Sequence, residues 1–184
     1  MTVIAWDGFT LAADRQATVA DTIYSTKKLW TYADGSAVAV TGDLSAGEYM
    51  RSWYESGSQI DQWPEIQKTE DWAILVVARP GKAPVYYERH PVPITVVDQF
   101  RAWGSGREVA LGAMAMGADA INAVEIASRF VIGCGRGCDS VRINARKDKN
   151  TCPCCGNSDL KRGGENLWCD ECGFSPIPPF PEEK

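Results

Sequence analysis

The sequence predicts an α+β fold in which helices cover layered β-sheets. Two Asp-Gly dipeptides each stand between short runs of apolar and β-branched residues, a pattern typical of β-hairpins. A helix-capping pattern follows the second hairpin, and a longer helical tract, residues 107–130, precedes a last strand. This order of strands, helix, strands, two helices and strand is typical of a layered sandwich.

The first hairpin brings a carboxylate back to the beginning of the chain. It joins strand 2–6 to strand 9–14 through a two-residue turn. In the register of such a turn, Thr2 lies opposite Ala13. Asp14 therefore returns to the amino-terminal end of the first strand.

The second hairpin repeats this arrangement with a lysine. It joins strand 27–33 to strand 36–41. A two-residue turn places Lys28 opposite Thr41, one residue before Gly42. Each hairpin thus places a pair of candidate residues at one strand end.

The remaining elements follow from capping and periodicity. A Ser-x-x-Glu capping box at Ser45 opens the first helix. Residues 72–78 and 84–88 are predicted strands, and Gly117 divides the long helical tract into two helices. Residues 138–143 are predicted to close the sheet.

Bulk properties exclude several classes of protein. The chain has 184 residues, 45% of them hydrophobic and 23% charged, and its apolar runs are shorter than the roughly 18 to 20 residues of a membrane span. The net charge of −5 disfavours general nucleic-acid binding. Asp7 and Asp14 interrupt any apolar secretion signal, so a cytoplasmic location is the expectation.

Thr2 is the candidate nucleophile. Removal of Met1 would expose its α-amine, whose pKa of about 8 suits a base for the Thr2 hydroxyl. Lys28 would lower the pKa of that amine, Asp14 would hold Lys28, and the N–H of Gly42 would stabilise the oxyanion. The alternative is that threonine merely begins an edge strand.

The same residues carry a resemblance to a known family. Five segments in a fixed order resemble the proteasome β-subunit family of Ntn-hydrolases, including HslV-type peptidases: Thr2–Ala5, Ala12–Thr18, Lys27–Leu29, Val40–Asp43 and Gly104–Gly106. The resemblance covers about residues 2–143. It implies a four-layer αββα sandwich and an N-terminal-threonine endopeptidase acting on polypeptides inside a homo-oligomeric ring. It also implies that Ser105 is an auxiliary serine beside the threonine amine. An ATP-dependent unfoldase or adaptor is a candidate partner.

One part of the family pattern is missing. Members usually have an aspartate after the last helix and a serine or cysteine three residues later, and these positions correspond to Val131 and Cys134. The auxiliary network is therefore incomplete or rebuilt. This departure motivates a second hypothesis, that the chain is a catalytically inactive proteasome-like shell subunit.

The carboxy-terminal part contains a predicted zinc ribbon. Two C-x-x-C-G knuckles supply the four thiolates of one structural Zn²⁺ site: Cys152, Cys155, Cys169 and Cys172. Residues 144–150 form a linker, 151–174 the ribbon and 175–184 a flexible proline-rich tail. A third hypothesis makes the ribbon an adaptor for protein or nucleic acid, and its acidic balance disfavours nucleic acid.

Overall fold

The computed structural model describes residues 2–68 and 70–144, and the backbone of residues 161–163 and 166–168. The first six strands precede the first helix: β1 (Val3–Trp6), β2 (Thr10–Asp14), β3 (Gln16–Val19), β4 (Thr22–Ser25), β5 (Leu29–Thr31) and β6 (Ala37–Gly42). The elements that follow are α1 (Leu44–Glu55), two short 3₁₀ turns (Ile60–Gln62 and Glu65–Lys68), β7 (Ala73–Ala78), β8 (Val85–Tyr87), β9 (Ile94–Thr95), β10 (Arg101–Gly104), α2 (Arg107–Ala115), α3 (Ala120–Phe130), β11 (Cys138–Arg142), β12 (Lys161–Gly163) and β13 (Asn166–Trp168).

Two antiparallel sheets form the centre of the molecule. The first has the order β10-β1-β2-β11, and the second has the order β5-β6-β7-β8-β9. Strands β3 and β4 form a separate, largely exposed ribbon. Neighbouring strands are antiparallel in both sheets.

Three apolar layers separate four structural layers. A central core lies between the sheets and includes Ile4, Leu11 and Val76. A second core lies between α2, α3 and the first sheet, and a third lies between α1 and the second sheet. Strand β1 has all four residues buried because it is covered on both faces. The predicted αββα layering is therefore observed in the described residues.

The register predicted for the first hairpin is wrong by two residues. Ile4, rather than Thr2, pairs with Ala13. The turn is longer because the Asp7 carboxylate accepts hydrogen bonds from two backbone N–H groups, those of Phe9 at 2.9 Å and Thr10 at 2.7 Å. An even shift keeps each side chain on its predicted face. Asp14 therefore still points to the beginning of β1.

The second hairpin is shifted by one residue. The Lys28 carbonyl accepts a hydrogen bond from Val40, so Lys28 is not opposite Thr41. Gly35, at φ +79°, allows a three-residue turn in which the Asp34 carboxylate accepts the Ser36 N–H at 2.9 Å. A shift of one residue exchanges the faces of a strand, which helps to bury Lys28 while Lys27 stays exposed.

The helices follow the sequence pattern, with one change at a cap. Helix α1 begins two residues earlier than the capping box at Ser45 predicts, because Asp43 is its N-cap and accepts the Ala46 N–H at 2.9 Å. Gly117, at φ +95°, lies between α2 and α3 and divides the tract as predicted. No helix in the described ranges is long and apolar enough to cross a membrane.

The predicted zinc ligands lie outside the described residues. Between the two knuckles, β12 and β13 form an antiparallel hairpin in which Gly163 pairs with Asn166. The ribbon, its domain boundaries and its zinc ion therefore stay predictions.

Candidate active site

Thr2 lies immediately before β1, with only 3% of its surface exposed. Its backbone nitrogen is 3.1 Å from Oγ of Ser105, which accepts its N–H. The N–H of Gly106 donates to the Thr2 carbonyl at 3.1 Å. Gly104 must be glycine, because it has φ +86° and a Cβ there would overlap the Thr2 carbonyl oxygen. The loop after β10 thus fixes the position of the Thr2 nitrogen.

Asp14 is the polar centre of the site and is completely buried. Its Oδ1 accepts hydrogen bonds from the Val3 N–H and from Nζ of Lys28, both at 2.9 Å. Its Oδ2 accepts from the backbone N–H groups of Gln16 at 3.1 Å and Gly135 at 3.0 Å. Because one oxygen holds both the amide after Thr2 and the lysine ammonium, Asp14 joins Lys28 to the strand that carries Thr2.

Lys28 is a buried cation with a perturbed pKa. Its side chain is 2% exposed, and burial lowers its pKa from the ordinary value, while the Asp14 carboxylate opposes this change. A buried ion pair is maintained only when its hydrogen bonds compensate for lost hydration. The four donors to Asp14 meet that requirement on the acidic side of the pair.

The loop after α3 closes the other side of the site. Val131, at the position where the sequence resemblance implies an aspartate, is the C-cap of α3 and packs against the apolar core beside this helix. Cys134 is buried, and its Sγ lies 3.9 Å from Ser105 Oγ. Burial and the nearby Asp14 carboxylate raise the pKa of the Cys134 thiol. A neutral thiol therefore lies beside the serine that contacts the Thr2 nitrogen.

This loop is held by contacts that do not require the missing aspartate. The Gln16 side chain donates Nε2–H to the Ile132 carbonyl at 2.8 Å. The Arg15 N–H is 3.0 Å from the Gly135 carbonyl and 3.1 Å from the Gly137 carbonyl. These bonds, with that from Gly135 to Asp14, connect the loop to the residues that follow β2.

Gly42 lies at the end of β6, beside an open cleft. It has φ +113°, and a Cβ at this position would lie 2.5 Å from the Trp72 carbonyl oxygen, so only glycine fits. Gly42 and Ser105 both line the cleft, which has a volume of about 490 Å³. Gly42 is solvent-exposed at this cleft.

The structure therefore groups the predicted residues in three ways. Asp14 and Lys28 form an ion pair, Thr2 and Ser105 share a hydrogen bond, and Gly42 and Ser105 face the same cleft. The sequence did not single out the cleft residues on β7, β8 and β10 other than Gly104, because these strands are separated along the chain and meet only in the folded structure. It also gave no role to Gln16, although Gln16 follows Asp14 by two residues within a segment that resembles the family.

Potential metal ligands in the described ranges do not cluster. Residues 2–68 and 70–144 contain no group of three or more His, Cys, Asp or Glu side chains placed to hold a metal ion. The Asp14 carboxylate is occupied by Lys28 and backbone donors.

Comparisons with known proteins establish the fold. No protein-family model matches the chain, and no curated protein matches it. BPH of Thiobacillus denitrificans, solved in complex with epoxomicin, superimposes with a TM-score of 0.60 at 20% identity, over 79% of this chain and 100% of that chain. HslV of Trypanosoma brucei gives 0.55 at 20% identity, over 77% and 97% of the two chains. The Anbu complex of Pseudomonas aeruginosa, solved as a helical assembly, gives 0.59 at 15% identity, over 77% and 80%. The chain has an HslV-like, proteasome-like fold.

Proposed function

We propose that this protein is an N-terminal-threonine endopeptidase of the proteasome and HslV type. The observation that carries the proposal is the buried Asp14–Lys28 pair, which shares an oxygen with the amide next to Thr2. A shell protein gains little from an ion pair with 0% and 2% exposure, since burying charges is unfavourable. Perturbed, buried charges of this kind are concentrated at functional sites.

The first chemical step uses the amine of Thr2 once Met1 has been removed. The neutral amine takes the proton of the Thr2 hydroxyl as Oγ attacks the peptide carbonyl carbon. The Lys28 ammonium nearby favours the neutral form of the amine and stabilises negative charge on Oγ. Ser105, 3.1 Å from the Thr2 nitrogen, orients the amine.

The second step breaks the peptide bond. The Gly42 N–H donates to the oxyanion, an interaction of about 3 kcal/mol for one such donor in other hydrolases. The intermediate collapses when the C–N bond breaks and the Thr2 ammonium gives its proton to the leaving nitrogen. Water then hydrolyses the ester on Oγ, with the same amine as base, and restores Thr2.

A catalytically inactive shell subunit is the competing function. The observation in its favour is Val131, an apolar residue where the family usually has a carboxylate. The alternative network through Gln16, Gly135 and Cys134 supplies a fixed loop without that carboxylate. We therefore favour the peptidase over the inactive shell subunit.

We further propose that the protein acts as a homo-oligomeric ring. Large apolar side chains are exposed near the end of α3, with Phe130 at 76% and Ile132 at 91% exposure. Exposed groups of this kind are typical of protein interfaces. Sedimentation velocity at several concentrations tests this point, and a monomer throughout would contradict it.

The four ribbon cysteines are proposed to bind one structural Zn²⁺. Four thiolates in two C-x-x-C-G knuckles are a suitable donor set for tetrahedral zinc. The proposed role of the ion is to stabilise the ribbon, which then contacts protein substrates or an adaptor. One zinc per chain in the purified protein, absent from a Cys169→Ser/Cys172→Ser variant, is the expected result.

Hydrolysis of an unfolded protein substrate tests the proposed function. We expect wild-type protein to cleave casein, Thr2→Ser to retain activity, and Thr2→Ala and Lys28→Met to lose at least about 100-fold. Lys27→Met is the matched control, because Lys27 is exposed and its neighbour is buried. Equal activity of wild-type protein and Thr2→Ala would overturn the proposal.

A further inference from the structure

A cleft of about 490 Å³ opens beside Gly42 and Ser105, and its other lining residues have no role in the mechanism above. It is lined by the ends of β6 and β8, the beginning of β7 and the whole of β10. We propose that this cleft binds the leaving-group side of the polypeptide, and that it selects an aromatic residue followed by an acidic one. The inference rests on the proposed peptidase function.

The direction of the chain follows from proton transfer. The amine that accepts the Thr2 hydroxyl proton must later give a proton to the leaving nitrogen. The leaving segment must therefore lie close to the Thr2 nitrogen. Ser105, whose Oγ is hydrogen-bonded to that nitrogen, lines the cleft together with Gly104. A chain leaving from this point enters the cleft.

The floor of the cleft is apolar and aromatic. Tyr86 and Trp103 meet edge to face with ring centroids 5.8 Å apart, and Ile74 and Trp72 complete the lining on the second sheet. Rings packed in this way present faces and edges to a third ring. The indole nitrogen of Trp103 is buried and has no hydrogen-bond partner among the described residues. The floor thus suits an aromatic side chain.

Among the residues that line the cleft, two arginines outnumber one carboxylate. Arg101 and Arg107 line it, with side chains 43% and 53% exposed, against the single carboxylate of Glu88. Each arginine already has an exposed carboxylate partner: Arg101 is 3.6 Å from Asp98, and Arg107 is 3.1 Å from Glu108. Arg107 also donates to the Gly104 carbonyl at 3.2 Å. These exposed contacts are weak, and each guanidinium has five N–H donors, so both can bind a substrate carboxylate.

Matched quenched-fluorescence peptides test the preference. All share one acyl side and differ only after the scissile bond, which is followed by Phe-Asp, Phe-Lys or Gly-Asp. We expect kcat/KM for Phe-Asp to exceed that for Gly-Asp at least about tenfold. It should exceed that for Phe-Lys by about three- to tenfold, the effect of one charge pair near a protein surface. Equal rates for the three peptides would overturn the inference.

Two substitutions at the rim change the preference in opposite directions. Arg101→Gln should lower the ratio of Phe-Asp to Phe-Lys cleavage, and Glu88→Gln should raise it, because each changes the rim by one charge. Arg129→Gln, an exposed arginine at the end of α3, is the control and should leave the ratio unchanged. If Arg101→Gln does not fold, the cleavage ratio of Glu88→Gln alone tests the assignment. An unchanged ratio in Glu88→Gln would contradict the assignment.

Labelling by a peptide epoxyketone separates failure of this inference from failure of the proposed function. The epoxyketone occupies only the acyl side, so all rim variants should react with Thr2 at the wild-type rate. No reaction in the wild type would refute the peptidase. Normal reaction with no discrimination among the three peptides would refute the cleft assignment alone.

Discussion

Replacement of Asp14 by asparagine tests whether the buried ion pair organises the site. The carboxylate is completely buried and accepts four hydrogen bonds, two on each oxygen. In Asp14→Asn, one oxygen becomes an NH₂ group that faces two donors, and Lys28 loses its counter-ion. Removing one member of a buried pair destabilises proteins by about 3 to 5 kcal/mol.

We expect a loss of this size, about 3 to 5 kcal/mol, in the free energy of unfolding of Asp14→Asn. Urea denaturation followed by tryptophan fluorescence measures it, since several of the seven tryptophans lie in the cores. Asp139→Asn is the matched control. Asp139 pairs with Arg15 at the surface, with exposures of 25% and 46%, so its substitution should change stability by less than about 1 kcal/mol.

A double variant separates the pair from the general effect of substitution. Lys28→Met alone leaves the Asp14 carboxylate with three backbone donors. In the combined variant neither charge is buried, so its loss of stability should be smaller than the sum of the two single losses. If Asp14→Asn is no more destabilising than Asp139→Asn, the argument that this pair organises the site is refuted.

Three further predictions follow from individual contacts. Gly104→Ala should lower the free energy of unfolding by more than about 2 kcal/mol in urea denaturation, because its Cβ overlaps the Thr2 carbonyl. Gly112→Ala is the control, because Gly112 lies in α2 with open space around it, and this substitution should leave stability unchanged or raise it. Equal losses of stability in Gly104→Ala and Gly112→Ala would contradict the prediction. Burial raises the pKa of Cys138 from 9.0 to about 11, so the folded state keeps a proton that the unfolded chain releases. The protonated Cys138 thiol therefore contributes to stability below pH 9, and this contribution is lost as the pH approaches 11. Peptide-mapped alkylation of Cys138 should titrate near pH 11, and a midpoint near 9 would contradict the prediction. Gln16→Leu removes the bond to Ile132 and should speed hydrogen exchange of residues 132–137 and slow epoxyketone labelling. Unchanged hydrogen exchange in this variant would show that Gln16 does not hold the loop after α3.

The layers of the fold follow from local sequence signals. Alternating and continuous apolar runs predict the strands, and Gly117 divides α2 from α3 as expected. Hairpin registers were less certain because turn length depends on side-chain hydrogen bonds. Asp7 lengthens the first turn and Gly35 the second, and neither effect is visible in an Asp-Gly dipeptide alone. The two-stranded sheet β3–β4 was not predicted, because each of its strands has only four residues and β4 is exposed throughout.

The candidate site could be predicted in part from the same hairpins. Their strand ends bring Asp14 and Lys28 together even though both registers shift, because Asp14 keeps its face and Lys28 turns inward. Long-range contacts could not be predicted in this way. The bonds from Gly135 to Asp14 and from Gln16 to Ile132 join residues more than 100 positions apart. They depend on the packing of α3 against the first sheet.

Mapping of an epoxyketone adduct tests the central claim most directly. A peptide epoxyketone needs both the hydroxyl and the free amine of an N-terminal threonine, because the two groups close a ring with the inhibitor. We expect purified, assembled protein to lack Met1 by intact mass and to carry one adduct on Thr2 by peptide mapping. Lys28→Met should react much more slowly. Protein that has lost Met1, is assembled and forms no adduct would contradict the peptidase and favour the shell subunit.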